Sequence, residues 1–147
     1  DGSDALGGSE LLAQVGGSDR FPTLPENASD VVTTLASVAD ADPTLAVHDV
    51  SNGGLAVALA EMVTAESGAD VAVKDPVALF EETPGRAIVE TTDPDAVEAA
   101  FDGVAPVTTL GEATEDGTLS LSVDGTKLAV DAETIASLRD VLATELD

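Results

Sequence analysis

Residues 45–63 read LAVHDVSNGGLAVALAEMV, and their pattern predicts the central elements of the fold. Its apolar start predicts a buried strand at residues 45–47, which continues to residue 50. The Asn52-Gly53-Gly54 sequence predicts a tight turn, because glycine tolerates the backbone conformations that such turns need. The almost uninterrupted apolar residues from 55 to 64 predict a helix that is buried on nearly all sides. The stretch therefore predicts a strand, a glycine turn and a helix that packs closely on a sheet.

The flanking sequence adds further elements around this stretch. Apolar residues at helical spacing, after Ser, Asn, Asp or Pro, predict helices at residues 9–15, 28–39, 75–80, 93–101 and from 131 onward. Short apolar runs predict strands at residues 71–74, 86–92 and 107–113. Alternation on both sides of Asp124-Gly125 predicts a hairpin over residues 118–130. This order predicts an α+β fold on a mixed sheet, in a single domain over residues 1–147.

Charge is the strongest feature of the composition. The chain has 29 acidic residues against 5 lysines and arginines, which gives a net charge of −24. Such a surface repels nucleic acids and anionic membranes. The 44% hydrophobic content argues against a disordered acidic chain. We therefore predict a salt-adapted, cytoplasmic protein, whose self-repulsion is screened because the Debye length falls to about 3 Å at 1 M salt.

Other features of the composition narrow the class of protein. The chain has no cysteine, which excludes disulfides and thiol chemistry. It has no apolar run of the length that a membrane span needs, and no signal-peptide pattern. It begins at Asp1 rather than at a methionine, so we expect a fragment of a longer chain.

Three segments together carry a resemblance to a known family. They are VHDVSNGGLAVALAEMV, LGGSEL at residues 6–11, and LFEETPGR at residues 79–86. In their order along the chain they resemble the C-terminal-type domain of the large subunit of phosphoribosylformylglycinamidine synthase, in the AIR synthetase superfamily. The resemblance implies a three-layer α/β sandwich on a mixed, largely antiparallel sheet, partly ferredoxin-like. The excess of acidic residues in a chain that resembles this family implies a halophilic organism.

The chain departs from the family pattern at three positions. Asn52 stands where an acid is common, Glu81 replaces a small serine, and Thr83 keeps a hydroxyl but adds a methyl group. AIR synthetase, selenophosphate synthetase, thiamine monophosphate kinase and a hydrogenase maturation factor share the architecture. Their versions of the central motif differ more from this sequence, so they rank below the synthase.

The resemblance implies a role within an ATP-dependent ligase. The complete enzyme phosphorylates the amide oxygen of formylglycinamide ribonucleotide, and ammonia from glutamine then displaces phosphate to give the amidine. ATP and Mg²⁺ serve the complete enzyme. The implied partners are the N-terminal domains of the same subunit, a glutaminase subunit and a small bridging subunit. The main catalytic residues lie in those N-terminal domains, so we expect an inactive fragment that requires no cofactor and serves as a wall and scaffold.

The candidate site residues come from the resemblance and from local chemistry. A glycine turn at a helix start can hold an anion with its backbone amides, and a carboxylate at a strand end can reach Mg²⁺. The resemblance adds the first and third motif segments, because they match family positions that form walls of the substrate pocket in the paired half of the enzyme. The candidate substrate- or phosphate-binding residues are Gly8, Ser9, Glu10, His48, Ser51, Gly53, Gly54, Glu82, Thr83 and Arg86, and the candidate metal ligand is Asp49.

Each of these candidates has a structural alternative. The glycine turn can simply pack a helix on a sheet, and Asp49 can bond backbone amides of the turn. Arg86 can pair with Glu81 or Glu82 instead of a phosphate. His48 and Asp49 point to opposite sides of a strand, which argues against a catalytic relay through them to Ser51. Two other classes of function also stay open, a binding module for a phosphorylated metabolite and a purely structural domain.

Overall fold

The computed structural model describes residues 5–145, with side chains for residues 5–140. Within that range the chain forms six helices and six strands. The helices are α1 (Glu10–Val15), α2 (Ala28–Ala39), α3 (Gly54–Met62), α4 (Pro76–Phe80), α5 (Pro94–Phe101) and α6 (Ala132–Glu145). The strands are β1 (Thr44–Asp49), β2 (Gly68–Val73), β3 (Ala87–Thr91), β4 (Gly111–Thr114), β5 (Thr118–Val123) and β6 (Thr126–Asp131). None of the helices in this range is long and apolar enough to cross a membrane.

The elements divide between two compact units. The first unit comprises the chain up to Ala58 together with Val77–Thr109. The second comprises Leu59–Pro76 and the chain from Leu110 onward. The boundary therefore falls inside α3, and the strand–turn–helix stretch begins in the first unit.

The first unit is built on the antiparallel pair of β1 and β3. Apolar side chains of α2 and α5 form its core, and the sequence pattern predicts both helices. The Asp93 carboxylate caps α5 by accepting a hydrogen bond from the Ala96 amide at 3.1 Å. The buried cluster consists of Val31, Val38, Val97 and Phe101, with Leu35, Val89, Val104 and Ala105 packed against it.

The second unit is a four-stranded sheet in the order β4-β2-β5-β6. β2 and β5 run parallel, whereas β4 and β6 pair antiparallel with their neighbours. The predicted hairpin between β5 and β6 is confirmed, and its turn has positive φ at Asp124 (46°) and Gly125 (79°). The predicted cap of α6 is also confirmed, because the Thr134 amide donates to Asp131 at 2.7 Å. That hydrogen bond lowers the pKa of the Asp131 carboxyl.

The α+β class with mixed, largely antiparallel pairing is confirmed. Among the described strands, the one parallel contact joins β2 to β5. The strands are divided over two sheets, whereas the sequence predicts one.

The structure corrects the predicted extent of three elements. β2 begins at Gly68 instead of the predicted residue 71, because this stretch pairs with β4 on one side and β5 on the other. β4 covers Gly111–Thr114 instead of residues 107–113. Its register follows from that same pairing, in which Gly111 lies opposite Val71. α3 ends at Met62, short of the predicted end at residue 64.

The central strand and helix are also less buried than predicted. Leu45 is 62% exposed and Val47 is 36% exposed, so the prediction of a buried strand is wrong for these two side chains. β1 alternates between half-buried and exposed residues, as expected for an antiparallel strand with one covered face. Val57 on α3 is 42% exposed, whereas Leu55 and Ala58 are buried.

Candidate functional site

The candidate site lies in the first unit, where β1 ends and β3 begins. Because these strands are antiparallel, Asp49 lies opposite Ala87 at the end of the ladder. The Val50 amide continues the pairing by donating to the Arg86 carbonyl at 3.0 Å. The chain that leaves β1 through the glycine turn therefore runs beside the chain that enters β3 through the LFEETPGR motif.

The Glu82 carboxylate joins all three motif segments. Its Oε1 accepts a hydrogen bond from the Glu10 amide at 2.8 Å and another from the Gly53 amide at 2.8 Å. One oxygen thus holds the LGGSEL segment and the glycine turn, which are 72 and 29 residues away in the chain. A carboxylate that accepts backbone N–H groups forms stronger hydrogen bonds than a neutral acceptor does. We call this arrangement the Glu82 corner.

The glycine turn lies directly against the C-terminal end of α4. Gly53 and Gly54 both have positive φ, at 84° and 68°. A Cβ atom on Gly54 would lie 2.5 Å from the Leu79 carbonyl oxygen and 2.9 Å from the Phe80 Cα. The Gly54 amide donates to the Ser51 carbonyl at 2.9 Å, which closes the turn. The amides of both glycines therefore already have partners within the chain.

The LGGSEL segment enters the corner through its backbone. Ser9 is 2% exposed, and its hydroxyl caps α1 by accepting from the Leu12 amide at 3.4 Å. Gly8 has a φ of 81°, and the side chain of Glu10 is exposed. Ser9 therefore has a structural role as a helix cap, while the Glu10 amide makes the contact with Glu82.

The Arg86 guanidinium binds groups of α4 and of Glu81, the residue that follows this helix. Its Nη1 lies 3.2 Å from Glu81 Oε1 and donates to the Glu81 carbonyl at 3.0 Å. Its Nη2 donates to the Ala78 carbonyl at 3.2 Å. The side chains of Arg86 and Glu81 are 26% and 12% exposed, respectively. Of the alternatives that the sequence leaves open for Arg86, the structure contains the ion pair with Glu81, and the guanidinium also binds carbonyls at the C-terminal end of α4.

Thr83 carries a buried polar side-chain atom that lacks a hydrogen-bond partner. Its Oγ1 is buried and has no hydrogen-bond partner within residues 5–145. A buried hydroxyl without a partner is costly, and most such groups in folded proteins are satisfied. The Thr83 hydroxyl is therefore an unsatisfied group in the corner, and a group from outside the described residues could bond it only after the atoms that cover it move.

His48 and Asp49 lie next to each other at the end of β1. The His48 Nδ1 lies 2.6 Å from the Asp49 carbonyl oxygen and 4.0 Å from Asp49 Oδ1. Their side chains are 27% and 78% exposed, which fits the alternation expected in a strand. Ser51 follows them, and its side chain is exposed.

Asp49 is the one candidate metal ligand at this strand end. Within the described part of the chain, no three histidine or carboxylate side chains come close enough together to hold a metal ion. Mg²⁺ prefers octahedral coordination by six oxygen atoms. Asp49 therefore stays a candidate ligand that would supply one carboxylate, with water or groups from outside the described residues completing the coordination.

Comparison with known protein families assigns most of the chain to one family. Residues 2–124 match the family described as AIR synthase related protein, C-terminal domain. The chain belongs to this family. The match includes the three motif segments that meet at the Glu82 corner, as well as both units up to the end of β5.

The relatives of this AIR synthase related domain are much longer proteins. The chain is 60% identical, over 97% of its length, to phosphoribosylformylglycinamidine synthase subunit PurL of Halorubrum lacusprofundi. It is 54% identical, over 99% of its length, to the protein of the same name from Haloquadratum walsbyi. A PurL from Methanosarcina mazei is 31% identical over 67% of the chain. The chain spans only about a fifth of the first two relatives, 19% and 21% respectively.

Loss of the Glu82 carboxylate should destabilise the first unit. Replacing Glu82 with Ala leaves the Glu10 and Gly53 amides without an acceptor, and we expect a cost of about 1–3 kcal/mol in the free energy of unfolding. Glu10→Ala is the matched control, because its exposed side chain is outside the contact and its loss should cost about 0.5 kcal/mol or less. Denaturant unfolding in concentrated potassium chloride measures the free energy of unfolding of both variants. Equal costs for the two variants would show that the contact contributes nothing.

Proposed function

We propose that the chain is the C-terminal domain of a phosphoribosylformylglycinamidine synthase large subunit. The complete subunit would act as an ATP-dependent ligase that converts formylglycinamide ribonucleotide to the amidine with ammonia from glutamine. One observation carries this proposal: three segments that resemble the synthase meet at the Glu82 carboxylate. The relatives that bear the synthase name support the same assignment.

Within that enzyme the domain would form one wall of the substrate site. Thr83 is the residue that best suits this role, because its hydroxyl has no partner in the described chain and could bond substrate once the atoms that cover it move aside. Gly53 and Glu82 would act indirectly, by holding the wall together. Arg86 already pairs with Glu81, so it would bind a phosphate only by giving up that contact.

The cofactors and partners belong to the complete enzyme. ATP supplies the phosphoryl group that activates the amide oxygen, and Mg²⁺ would require ligands beyond Asp49. The N-terminal domains of the same subunit, a glutaminase subunit and a small bridging subunit are the proposed partners, in the cytoplasm of a salt-adapted organism. The composition supports this setting through its net charge of −24.

A conservative change at Thr83 tests the wall directly. Thr83→Val removes a hydroxyl that makes no hydrogen bond within residues 5–145, so the melting temperature should stay the same or rise slightly. If the hydroxyl binds substrate in the full-length subunit, the KM for the ribonucleotide should rise about 5- to 150-fold, as one lost hydrogen bond of about 1–3 kcal/mol predicts. The assay follows amidine formation with ATP, Mg²⁺ and ammonia.

Two controls make the result specific. Thr33→Val changes a threonine on α2 whose hydroxyl bonds the Ser29 carbonyl at 2.9 Å, and it should leave KM unchanged. The 147-residue chain alone should turn over no ATP. An unchanged KM for Thr83→Val would remove Thr83 from the wall, and ATP turnover by the chain alone would contradict a scaffold role.

A further inference from the structure

Two large apolar side chains lie exposed on the loop between α1 and α2. Phe21 is 75% exposed and Leu24 is 67% exposed. Only three residues of the chain are phenylalanine, and the other two differ from Phe21: Phe80 is half-buried and Phe101 is 8% exposed. Exposed apolar groups that lie close together mark interaction surfaces more often than isolated ones do.

The start of this loop is fixed to the LGGSEL segment. The Gly7 amide donates to the Arg20 carbonyl at 2.9 Å, and the Leu6 amide donates to Asp19 at 2.8 Å. The hydrogen bond from the Leu6 amide, and to a smaller extent the one from the Arg20 amide, lower the pKa of the Asp19 carboxyl. The Phe21 ring lies against Gly8, because a Cβ atom on that glycine would be 2.7 Å from Phe21 Cε1.

The other end of the loop reaches the third motif segment. Pro25 Cγ lies 3.7 Å from the position that a Cβ atom on Gly85 would occupy. Residues 21–25 therefore run along the edge of the Glu82 corner, from Gly8 to Gly85. Pro22 and Pro25 restrict the backbone on either side of Leu24. Less conformational entropy would therefore be lost when a partner binds this segment than when it binds a flexible loop.

We propose that Phe21 and Leu24 form the surface on which the rest of the full-length subunit docks beside the Glu82 corner. The proposal rests on the proposed function, in which the chain is part of a longer polypeptide. The relatives have about four fifths of their length outside the region that this chain matches, so such a partner has ample size. The occupant would present an apolar surface that covers both side chains and closes one side of the corner.

The charge of the chain argues against a second copy as the occupant. Two copies would each bring a net charge of −24 to the contact. Like charges repel and oppose association, and salt weakens this repulsion without reversing it. A different part of the same polypeptide does not face this penalty to the same degree, because its charge is not fixed by this sequence.

Hydroxyl-radical footprinting of the full-length subunit tests the docking surface. Comparison of Phe21 with Phe101 removes the difference in intrinsic reactivity between residue types. In the isolated chain Phe21 is 75% exposed and Phe101 is 8% exposed, so Phe21 should be modified several times faster than Phe101. In the full-length subunit we expect Phe21 to slow to about the rate of Phe101, with Leu24 protected in parallel. Phe21 reacting several-fold faster than Phe101 would overturn the proposal.

A matched pair of valines on α2 serves as the control. Val32 is 64% exposed and Val38 is 5% exposed. The faster modification of Val32 should persist in the full-length subunit, and equal protection of Val32 would contradict a surface specific to Phe21 and Leu24. Protection of Phe21 in the 147-residue chain alone that grows with concentration would identify a second copy as the occupant and overturn the assignment.

An activity measurement on the same preparation separates the two proposals. A subunit that protects Phe21 but forms no amidine would retain the docking surface and refute the proposed function. An active synthase in which Phe21 remains exposed would refute the docking surface alone.

Discussion

The chain should lose its fold when salt is removed. We expect its melting temperature to fall by at least about 10 °C between multimolar potassium chloride and a low-salt buffer. The reason is that 29 acidic residues face 5 lysines and arginines, so most acids have no cation available. Two like charges 4 Å apart in water repel by about 1 kcal/mol, and salt screens this repulsion within a few ångströms. Thermal unfolding followed by circular dichroism over a series of salt concentrations measures the effect.

A charge variant separates electrostatic repulsion from other effects of salt. Glu98 and Asp102 are exposed acids four positions apart at the end of α5, where like charges repel. Glu98→Lys should raise the melting temperature more in low salt than in high salt, and Glu98→Gln should fall between it and the wild type. Equal melting temperatures of the wild type at low and multimolar potassium chloride would contradict the prediction.

Gly54→Ala should be strongly destabilising, by roughly 2–5 kcal/mol, because two costs combine. A non-glycine residue at a φ of 68° costs about 1–2 kcal/mol. The new methyl group would also lie 2.5 Å from the Leu79 carbonyl oxygen, and forcing extra atoms into a packed site costs about 1–3 kcal/mol. The free energy of unfolding in concentrated salt gives the combined value.

Gly103→Ala is the matched control for backbone strain. Gly103 has a φ of 72°, close to that of Gly54, but no described atom beyond its neighbours lies within 4 Å of the added Cβ. This variant should therefore show only the conformational cost, about 1–2 kcal/mol. If the two alanine variants are equally destabilised, the close approach of the glycine turn to α4 does not contribute to stability.

Much of the fold is predictable because its signals are local. Proline at the start of α5 with Asp93 before it, and Asp124-Gly125 between alternating strands, are features of neighbouring residues. The start of β2 at Gly68 was not predictable in this way. It depends on β4 and β5, which lie more than 40 residues further along the chain. The exposure of Leu45 likewise depends on which face of the sheet is covered.

The candidate site was predictable in its parts but not in its arrangement. The family resemblance singles out Glu82 and the segments that contain Glu10 and Gly53. It gives no sign that one carboxylate oxygen binds both amides, because no local pattern links residues so far apart in sequence. The pairing of Arg86 with Glu81 was foreseeable as an alternative, since only five positions separate them. The unpartnered hydroxyl of Thr83 is visible only once the surrounding atoms are placed.

Amide hydrogen exchange at Glu10 and Gly53, measured by NMR, is the most direct test of the Glu82 corner. If Glu82 holds both segments, the two amides exchange slowly in the wild type and both speed up in Glu82→Ala, while Glu10→Ala leaves Gly53 protected. Rapid exchange of either amide in the wild type, or acceleration of only one of them in Glu82→Ala, would contradict the shared carboxylate.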